Sequence, residues 1–271
     1  MTSFIRLSDV PVDQKGNVLK SEIHQPTART IQAHISSFDN VPGKALVYWL
    51  SEAEKRAFAK RSLWKNFDTR CGPGTLDDFR FLRLWWEHSI GSSRWVPFPK
   101  GGAYSPFVPV ADLDINWNAS GLEIKTFVEQ KVGSASRKIQ GQDYYFRSGL
   151  TWSRRPHVLG SFQFLPAGCI FSDGSPAAFN ESADDAGYVL GITNSAPFLY
   201  LLDSLMPRGG EGGQSLKYET GYVCSVPVPH ESNKQEEMLS LVEQGWRAQL
   251  TFSSFDQTNR HFRLPGVKVY D

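Results

Sequence analysis

The sequence predicts an α+β fold in which a mixed or antiparallel sheet carries flanking helices. Two stretches, residues 51–67 and 232–250, place apolar side chains at helical spacing behind capping residues. Between them lie short apolar segments separated by turns, a pattern typical of strands. The 271 residues are 40% hydrophobic with a mean hydropathy of −0.35, an ordinary composition for a soluble globular protein that buries a core.

The first predicted helix covers residues 51–67. Ser51 is a good N-cap, and Glu54 three residues later completes a capping box. Its apolar positions are Ala57, Phe58, Leu63 and Trp64. A Gly-Pro-Gly turn at residues 72–74 follows, and then alternating apolar residues predict a strand. That strand contains Phe79, Phe81, Leu82, Leu84 and Trp86.

The middle of the chain predicts turns and short strands. Residues 95–121 are rich in turn residues, and residues 160–179 read as strands separated by Pro-Ala-Gly and Asp-Gly-Ser turns. Residues 185–205 are almost continuously apolar and predict one helix packed on the sheet. Residues 207–229 predict a glycine-rich loop followed by a strand.

The last predicted helix covers residues 232–250, with Ser232 or Asn233 as its N-cap. Its apolar face would contain Met238, Leu241, Val242 and Gly245. No capping element follows the tail at residues 256–271, so we expect this tail to be unfinished.

Composition restricts the classes of function. The three cysteines are far apart and form no paired motif, which favours reduced thiols in a cytoplasm over disulfides or a zinc cluster. Neither a membrane span nor a signal core is predicted. A net charge of +1 excludes a polybasic protein, but not a local basic surface. Aromatic residues make up 13% of the chain and often adjoin basic residues. For any single pair we expect the ring to lie in the core with the arginine at its edge, but the recurrence of such pairs favours one binding face.

Catalytic motifs are missing from the sequence. A DNA adenine methyltransferase needs a glycine-rich cofactor turn and a Pro-Pro-aromatic motif for the flipped base, and the chain has no Pro-Pro. The glycines at 101–102 and 209–213 do not join a strand to a helix, and no P-loop or zinc-spaced His pair is present. We therefore expect no catalytic residue, metal or cofactor in this chain.

One weak catalytic candidate remains. Asp112 and Asp114 precede Glu123 and Lys125, a combination with which magnesium-dependent nucleases hold a metal and a phosphate. The preferred alternative is a surface hairpin that turns at residues 118–121 and keeps these charges in water.

A series of motifs carries a family resemblance. In order, the chain contains NVPGKALVYWLS, RCGPGTLDDFRFLRLWWE, RWVPFPKGGAYSPF, INWNASGLEIK, YYFRSGLTWSRR, YVLGITNSAPFLYLLDSLMP and VCSVPVP. This ordered set resembles the C-terminal half of the PglX adenine-specific DNA methyltransferases of BREX phage-defence systems, which are related to single-chain restriction–modification enzymes. The resemblance runs from about residue 38 to about residue 264.

The resemblance implies a recognition module without its enzyme. In that family the other half carries the S-adenosylmethionine site and the catalytic motif, and the matching half selects the DNA sequence. It implies that residues 1–70 are a helical segment joining the methyltransferase half. Residues 71–230 would be the α+β target-recognition domain, and residues 231–271 a helix and tail. The expected partners are double-stranded DNA, the catalytic half in cis or in trans, and other defence proteins. The tail favours a fragment over a separate subunit.

Two motifs depart from the family pattern. The family turn Thr-Gly-Asp-Asn before Arg-Phe is here Thr75 to Phe81, with an acid in place of the amide and an inserted phenylalanine. Family members carry an arginine and an aromatic residue after Lys-Gly-Gly, where this chain has Ala-Tyr-Ser-Pro-Phe. The role of the turn and one expected phosphate contact are therefore open.

DNA contacts are predicted from residue chemistry within that resemblance. Lys100 beside two glycines suits a phosphate, and Arg80 and Arg83 on one strand would face opposite sides. Ser148 to Ser153 would form a turn that enters a groove, from which Arg154 and Arg155 read guanine, or else pair with an acid such as Asp143. Tyr144, Tyr145 and Trp152 would hold this turn. The predicted DNA-binding residues are Thr75, Arg80, Arg83, Lys100, Gly101, Gly102, Tyr104, Arg147, Thr151, Trp152, Ser153, Arg154, Arg155 and Lys217.

Three functions therefore stay open from the sequence. They are a DNA target-recognition module, a small magnesium nuclease, and an adaptor that binds another defence protein through its aromatic surface.

Overall fold

The computed structural model describes residues 1–89, 91–102, 104–156, 160–206, 216–229 and 231–263. The chain forms two compact units, Met1–Arg61 and Ser62–Asp271. Helices and antiparallel sheets occur together, so the predicted α+β class is confirmed. The proposed domain limits at residues 70 and 230 stay predictions. Within the described part of the chain, no helix has both the length and the apolarity that a bilayer crossing requires.

The first unit contains a two-stranded sheet and two helices. Its elements are β1 (Thr2–Ile5), α1 (Lys15–His24), β2 (Thr30–Ala33) and α2 (Glu52–Ala57). Strands β1 and β2 are antiparallel. Phe4 stacks on Tyr48 with ring centroids 5.0 Å apart and meets the edge of Phe38 at 5.7 Å. These rings give the unit a small aromatic core.

The second unit contains two antiparallel sheets. The four-stranded sheet has the order β3-β9-β7-β8, and the three-stranded sheet has the order β4-β6-β5. The strands are β3 (Asp68–Arg70), β4 (Leu82–Leu84), β5 (Trp95–Pro97), β6 (Leu113–Asn116), β7 (Gly149–Trp152), β8 (Phe162–Leu165) and β9 (Ala177–Phe179). Strand β7 is therefore internal, and all four of its residues are buried. The strands predicted within residues 160–179 are confirmed as β8 and β9.

Six helices accompany these sheets in the described residues. They are α3 (Asp78–Phe81), α4 (Asn118–Val132), α5 (Ala183–Thr193), α6 (Ala196–Leu205), α7 (Thr220–Ser225) and α8 (Gln235–Ser253). A core of buried side chains joins elements of both sheets with α4. It includes Phe81, Ile115, Ile124, Leu165 and Phe171.

The predicted C-terminal helix is confirmed as α8, with two corrections. It begins at Gln235 after a short 3-10 turn, and Lys234 at its N-cap position makes no side-chain cap. Leu241 is 55% exposed and does not belong to the packed face. The packed face of α8 lies against α5, where a Cβ on Gly187 would come within 2.6 Å of Leu239. The lack of a side chain at Gly187 leaves room for Leu239 between the two helices.

The helix predicted for residues 51–67 is shorter than expected. Its capping box is confirmed, because Ser51 Oγ accepts from the Glu54 amide and Glu54 accepts from the Ser51 amide. The helix ends at Ala57, and a 3-10 turn covers Leu63–Asn66. This turn does not continue the helix, because its Leu63 amide donates to the distant Val228 carbonyl.

The strand predicted for residues 79–86 is partly wrong. Helix α3 occupies Asp78–Phe81, and only Leu82–Leu84 is extended. Asp77 caps this helical turn by accepting from the Arg80 amide at 3.1 Å. The alternating apolar pattern predicted a strand because it carries no information about this cap. In the helical turn that forms instead, Phe79 is exposed.

The hairpin predicted at residues 118–121 is also wrong. The chain enters helix α4 there, through left-handed residues Ala119 (φ 49°), Ser120 (φ 55°) and Gly121 (φ 74°). A Cβ on Gly121 would lie 2.6 Å from the Trp117 ring, so the tryptophan folds directly over the turn. Glu123 and Lys125 therefore lie on a helix.

Two further predictions fail beyond residue 180. The single helix expected for residues 185–205 is divided into α5 and α6, because Ser195 caps a new helix by accepting from the Phe198 amide. The strand expected before Pro227 is instead α7, which buries Val223 and ends at Ser225, and the buried Val226 follows it in extended conformation. The predicted glycine-rich loop lies largely outside the described residues.

Candidate nucleic-acid interface

A cleft of about 520 Å³ brings two distant segments of the sequence together. One segment is Lys100-Gly101-Gly102, which follows β5, and the other is Ser153-Arg154-Arg155, which follows β7. The lining residues are Lys100, Gly101, Gly102, Leu113, Ser153, Arg154, Arg155, Asp173 and Gly174. Six of the predicted DNA-binding residues therefore share one surface depression.

Glycines allow these segments to touch. Gly101 has φ +76°, and a Cβ there would lie 2.8 Å from the Gly174 carbonyl oxygen and 2.9 Å from Ser153 Oγ. The Gly102 amide donates to Ser153 Oγ at 3.4 Å. Gly101 therefore serves the packing of the cleft wall. Gly102 has φ +133° and open space where a Cβ would be, so a ligand can approach its backbone.

Lys100 is paired with an acidic side chain of the loop before α3. Its Nζ forms an ion pair with Asp78, and Thr75 Oγ1 donates to the same carboxylate at 2.5 Å. Burial raises the pKa of Asp78, but these hydrogen bonds outweigh burial and lower the pKa overall. A second depression of about 400 Å³ places Lys138 and Asp173 near this pair. A phosphate bound at Lys100 would thus compete with Asp78.

Arg154 is held within the protein. Its Nε and Nη2 donate to the two carboxylate oxygens of Glu219 at 2.9 and 2.8 Å, and this contact raises the pKa of the guanidinium. Its amide donates to the Gly174 carbonyl at 2.9 Å. The fork predicted to read guanine is therefore occupied, and the partner is Glu219 rather than Asp143.

Arg155 is the free member of the pair. Its side chain is exposed, and it makes no hydrogen bond or ion pair with any other residue that the structure describes. The cleft thus combines an arginine fixed by Glu219 with one that has no side-chain partner in the described part of the chain.

The predicted groove-entering turn at residues 148–153 is not formed. Thr151 and Trp152 belong to the internal strand β7 and are fully buried, and Ser153 is 8% exposed. Trp152 Nε1 donates to the Tyr218 carbonyl at 2.8 Å, and Thr151 Oγ1 donates to the Pro176 carbonyl at 2.9 Å. Thr151 and Trp152 belong to the buried strand that leads into the cleft at Ser153, and neither side chain can reach a DNA groove.

Arg80 and Arg83 do not lie on opposite faces of one strand, because Arg80 belongs to α3. Arg80 forms an ion pair with Glu123 at 3.1 Å. Arg83 donates to the carbonyl oxygens of Phe79 at 2.7 Å and Leu82 at 2.6 Å. Both guanidinium groups therefore hold local structure.

The remaining predicted residues lie outside the cleft lining. Tyr104 is 61% exposed, and Lys217 is exposed on the segment before α7. The Arg147 guanidinium lies 5.0 Å from the centroid of the Tyr144 ring. Tyr145, expected to brace the turn, is buried and its hydroxyl donates to the Gln140 carbonyl.

The acidic candidates for a magnesium site point to different partners. Asp114 is 2% exposed and contacts His88 Nε2 at 2.7 Å and the Arg260 guanidinium. Glu123 accepts from Arg80 and from Asn116. Lys125 Nζ lies 5.3 Å from the centroid of the Trp117 ring. No group of three His, Cys, Asp or Glu side chains suited to a metal occurs among the described residues.

Sequence reasoning missed three acidic residues that shape the cleft. Glu219 lies 65 positions from Arg154, and nothing in the local pattern connects them. Asp173 belongs to a turn motif and carried no chemical signal. Asp78 lies in the turn that departs from the family pattern, and the acid in place of the family's amide was the available sequence signal.

The sequence matches no protein-family model. It is 28% identical over 241 residues to the adenine-specific methyltransferase BrxX of Escherichia coli O9:H4 (strain HS), covering 83% of this chain and 18% of the relative. It is 23% identical over 233 residues to the adenine-specific methyltransferase PglX of Lacticaseibacillus casei (strain Zhang), covering 79% and 19%. The chain thus spans less than a fifth of the length of these relatives.

Among solved structures, a match to the type IIG restriction endonuclease BpuSI covers 84% of this chain and 33% of the enzyme chain. Its TM-score is 0.46 and its sequence identity is 10%.

Proposed function

The chain is related to the PglX family of BREX adenine-specific methyltransferases, and we propose from this relationship that it is the DNA target-recognition module of such an enzyme. It binds duplex DNA and selects the sequence that a catalytic half, in cis or in trans, methylates. The observation that carries the proposal is the cleft in which Lys100, Gly102 and Arg155 converge, where Arg155 has no side-chain partner among the described residues.

Each of these residues has a distinct role in the proposed complex. Lys100 suits a phosphate oxygen, which gives affinity without sequence information. The open space beside the Gly102 backbone lets that phosphate approach closely. Arg155 presents an exposed planar fork that no described residue occupies, and this fork suits the two acceptors on the major-groove edge of guanine. Arg154, held by Glu219, fixes the backbone from which Arg155 projects.

The proposal assigns no methyl transfer to this chain alone, because the cofactor turn and the Pro-Pro motif are missing from its sequence. S-adenosylmethionine would be bound by the catalytic half. Labelled methyl transfer to DNA by the purified chain would contradict this assignment. Magnesium-dependent plasmid cleavage that disappears in Glu123→Ala would restore the nuclease alternative.

Binding titrations test the proposal. A duplex preferred by the chain is selected from a random pool, and its dissociation constant is compared with that of random duplex by fluorescence anisotropy at several salt concentrations. Arg155→Ala should reduce the preference for the selected duplex about 10-fold, since a bidentate base contact discriminates by ~1–3 kcal/mol. Lys100→Ala should weaken both duplexes equally and reduce the salt slope by about 1.

Arg247→Ala is the matched control, because Arg247 pairs with Glu243 on the surface of α8 and lies outside the cleft lining. It should leave the preference unchanged. A chain that binds no duplex at low salt, or an Arg155→Ala variant with full preference, contradicts the proposed site.

A further inference from the structure

The loop between Gly74 and Phe81 presents two apolar side chains to solvent. Phe79 is 95% exposed and Leu76 is 46% exposed. Large apolar side chains usually contribute to stability by leaving water, and these two contribute little in that way. Their position therefore calls for a partner outside the described structure.

Internal bonds hold this loop in one shape. Thr75 Oγ1 and Lys100 Nζ both contact the Asp78 carboxylate, and Asp77 caps the Arg80 amide. The Phe79 carbonyl accepts from Arg83 at 2.7 Å. The loop thus displays its apolar tip in a preformed way, which reduces the conformational entropy lost on binding.

Leu76 also adopts a strained backbone conformation. Its φ is +59°, in the left-handed region that glycine tolerates and a leucine side chain disfavours. Glycine would relieve that strain, and the exposed leucine gains little burial in return. The side chain itself is therefore the useful feature at this position.

The tip is continuous with the proposed DNA cleft. Leu76 lines the second depression, which contains both cations and acids: Lys100, Lys138, Asp78 and Asp173. Phe79 lines a neighbouring depression with Arg83 and Leu113, and Leu113 also lines the cleft.

Three nearby carboxylates are bonded within the protein, whereas Asp173 has no side-chain hydrogen bond or ion pair with the described residues. Asp77 accepts from the Arg80 amide, Asp78 pairs with Lys100, and Glu87 accepts from the Leu84 amide at 2.7 Å. An exposed apolar tip that is continuous with the proposed DNA cleft fits the stacked bases of a duplex bound there.

We propose that Phe79, supported by Leu76, is a wedge that inserts between base steps of the bound duplex. Apolar side chains of this kind unstack adjacent bases and kink the DNA, which exposes more of it to the protein. The inference rests on the proposed function, since it names how the same surface engages its DNA.

Duplexes with a weakened base step test the wedge. Affinities of the 271-residue chain are measured for a fully paired duplex and for the same duplex with one mismatch, because a mismatch lowers the unstacking penalty. The wild-type chain should prefer the mismatched duplex about 10-fold, and 2-aminopurine beside the mismatch should brighten on binding. Phe79→Ala and Leu76→Gly should lose most of this preference. Leu76→Gly should remain at least as heat-stable as the wild type, which excludes misfolding as the cause.

Phe252→Ala is the matched control, because Phe252 is 74% exposed on α8 and lies outside this loop. It should keep the preference. Salt-dependent binding without any mismatch preference, or full preference in Phe79→Ala, overturns the wedge and leaves the proposed function standing. Absence of binding to every duplex overturns both.

Discussion

Arg154 and Glu219 form a two-pronged ion pair, with nitrogen–oxygen distances of 2.9 and 2.8 Å. The same two segments are joined by the Tyr218 amide, which donates to the Arg154 carbonyl at 2.8 Å. The pair therefore ties the end of β7 to the segment before α7. This arrangement separates the roles of the two adjacent arginines.

Arg154→Ala should lower the free energy of unfolding by about 1 kcal/mol, because it removes two charge-assisted hydrogen bonds from a partly exposed pair. Arg155→Ala should change it by less than ~0.5 kcal/mol, since Arg155 has no partner among the described residues. Urea denaturation measures both values. Equal losses in the two variants would contradict the division of roles.

Gly174→Ala should destabilise the cleft wall by about 1–3 kcal/mol. A Cβ at Gly174 would lie 2.7 Å from the Lys100 carbonyl oxygen, and backbone cannot move aside as a flexible side chain can. Gly221→Ala is the control, because a Cβ there meets nothing within 4 Å and alanine favours the helix. Thermal denaturation should show a lowered Tm for Gly174→Ala alone.

The sequence predicted elements with explicit local signals and missed those decided by distant contacts. The capping box of Ser51 and Glu54 is visible in four residues, and it forms as expected. Helix α3 replaces a predicted strand because the cap from Asp77 competes with an alternating pattern. Residues 119–121 look like a turn and do reverse locally, but they open a helix.

The candidate site shows the same division. Lys100 and Arg155 could be selected from their sequence neighbours, because two glycines follow Lys100 and a second arginine precedes Arg155. The fold brings both residues to one cleft. Burial of Thr151 and Trp152 depends on β7 being internal to its sheet, which requires the pairing with β8 and β9. The occupation of Arg154 depends on Glu219, and no periodicity connects positions 65 apart.

Asp78→Asn should destabilise the protein at pH 7 and lose that effect in acid. Burial raises the pKa of Asp78, but hydrogen bonds from Lys100 and Thr75 bring it below its ordinary value of 3.8. The folded state therefore prefers the carboxylate. Its contribution to stability is present above about pH 3.8 and disappears as the pH falls through the lowered pKa.

The measurement for Asp78 is a series of urea denaturation curves from pH 7 to pH 2.5. The wild type and Asp78→Asn should converge at the acid end. The exposed Asp143, which makes no side-chain hydrogen bond or ion pair with the described residues, provides Asp143→Asn as a control that should follow the wild type. A gap between wild type and Asp78→Asn that stays constant across this range would contradict the assignment.

Arg260→Ala should be among the most destabilising surface-accessible changes in the second unit. The Arg260 guanidinium contacts the carboxylate of Asp114 and donates through Nε to the Ala111 carbonyl at 2.9 Å. Asp114 is 2% exposed, and among the described residues it keeps only His88 as a side-chain partner once the arginine is removed. A buried carboxylate that loses its cation costs about 3 kcal/mol, and the 29% exposure of Arg260 moderates that figure to about 2 kcal/mol.

A double-mutant cycle separates the buried charge from lost packing. Asp114→Asn combined with Arg260→Ala should be more stable than the two single losses added together, because the neutral amide no longer needs the guanidinium. Arg247→Ala, which breaks an exposed pair with Glu243, should cost less than about 0.5 kcal/mol in the same urea titrations. If Arg260→Ala cost no more than Arg247→Ala, the contact with Asp114 would be a surface pair, and Asp114 would be available for other chemistry.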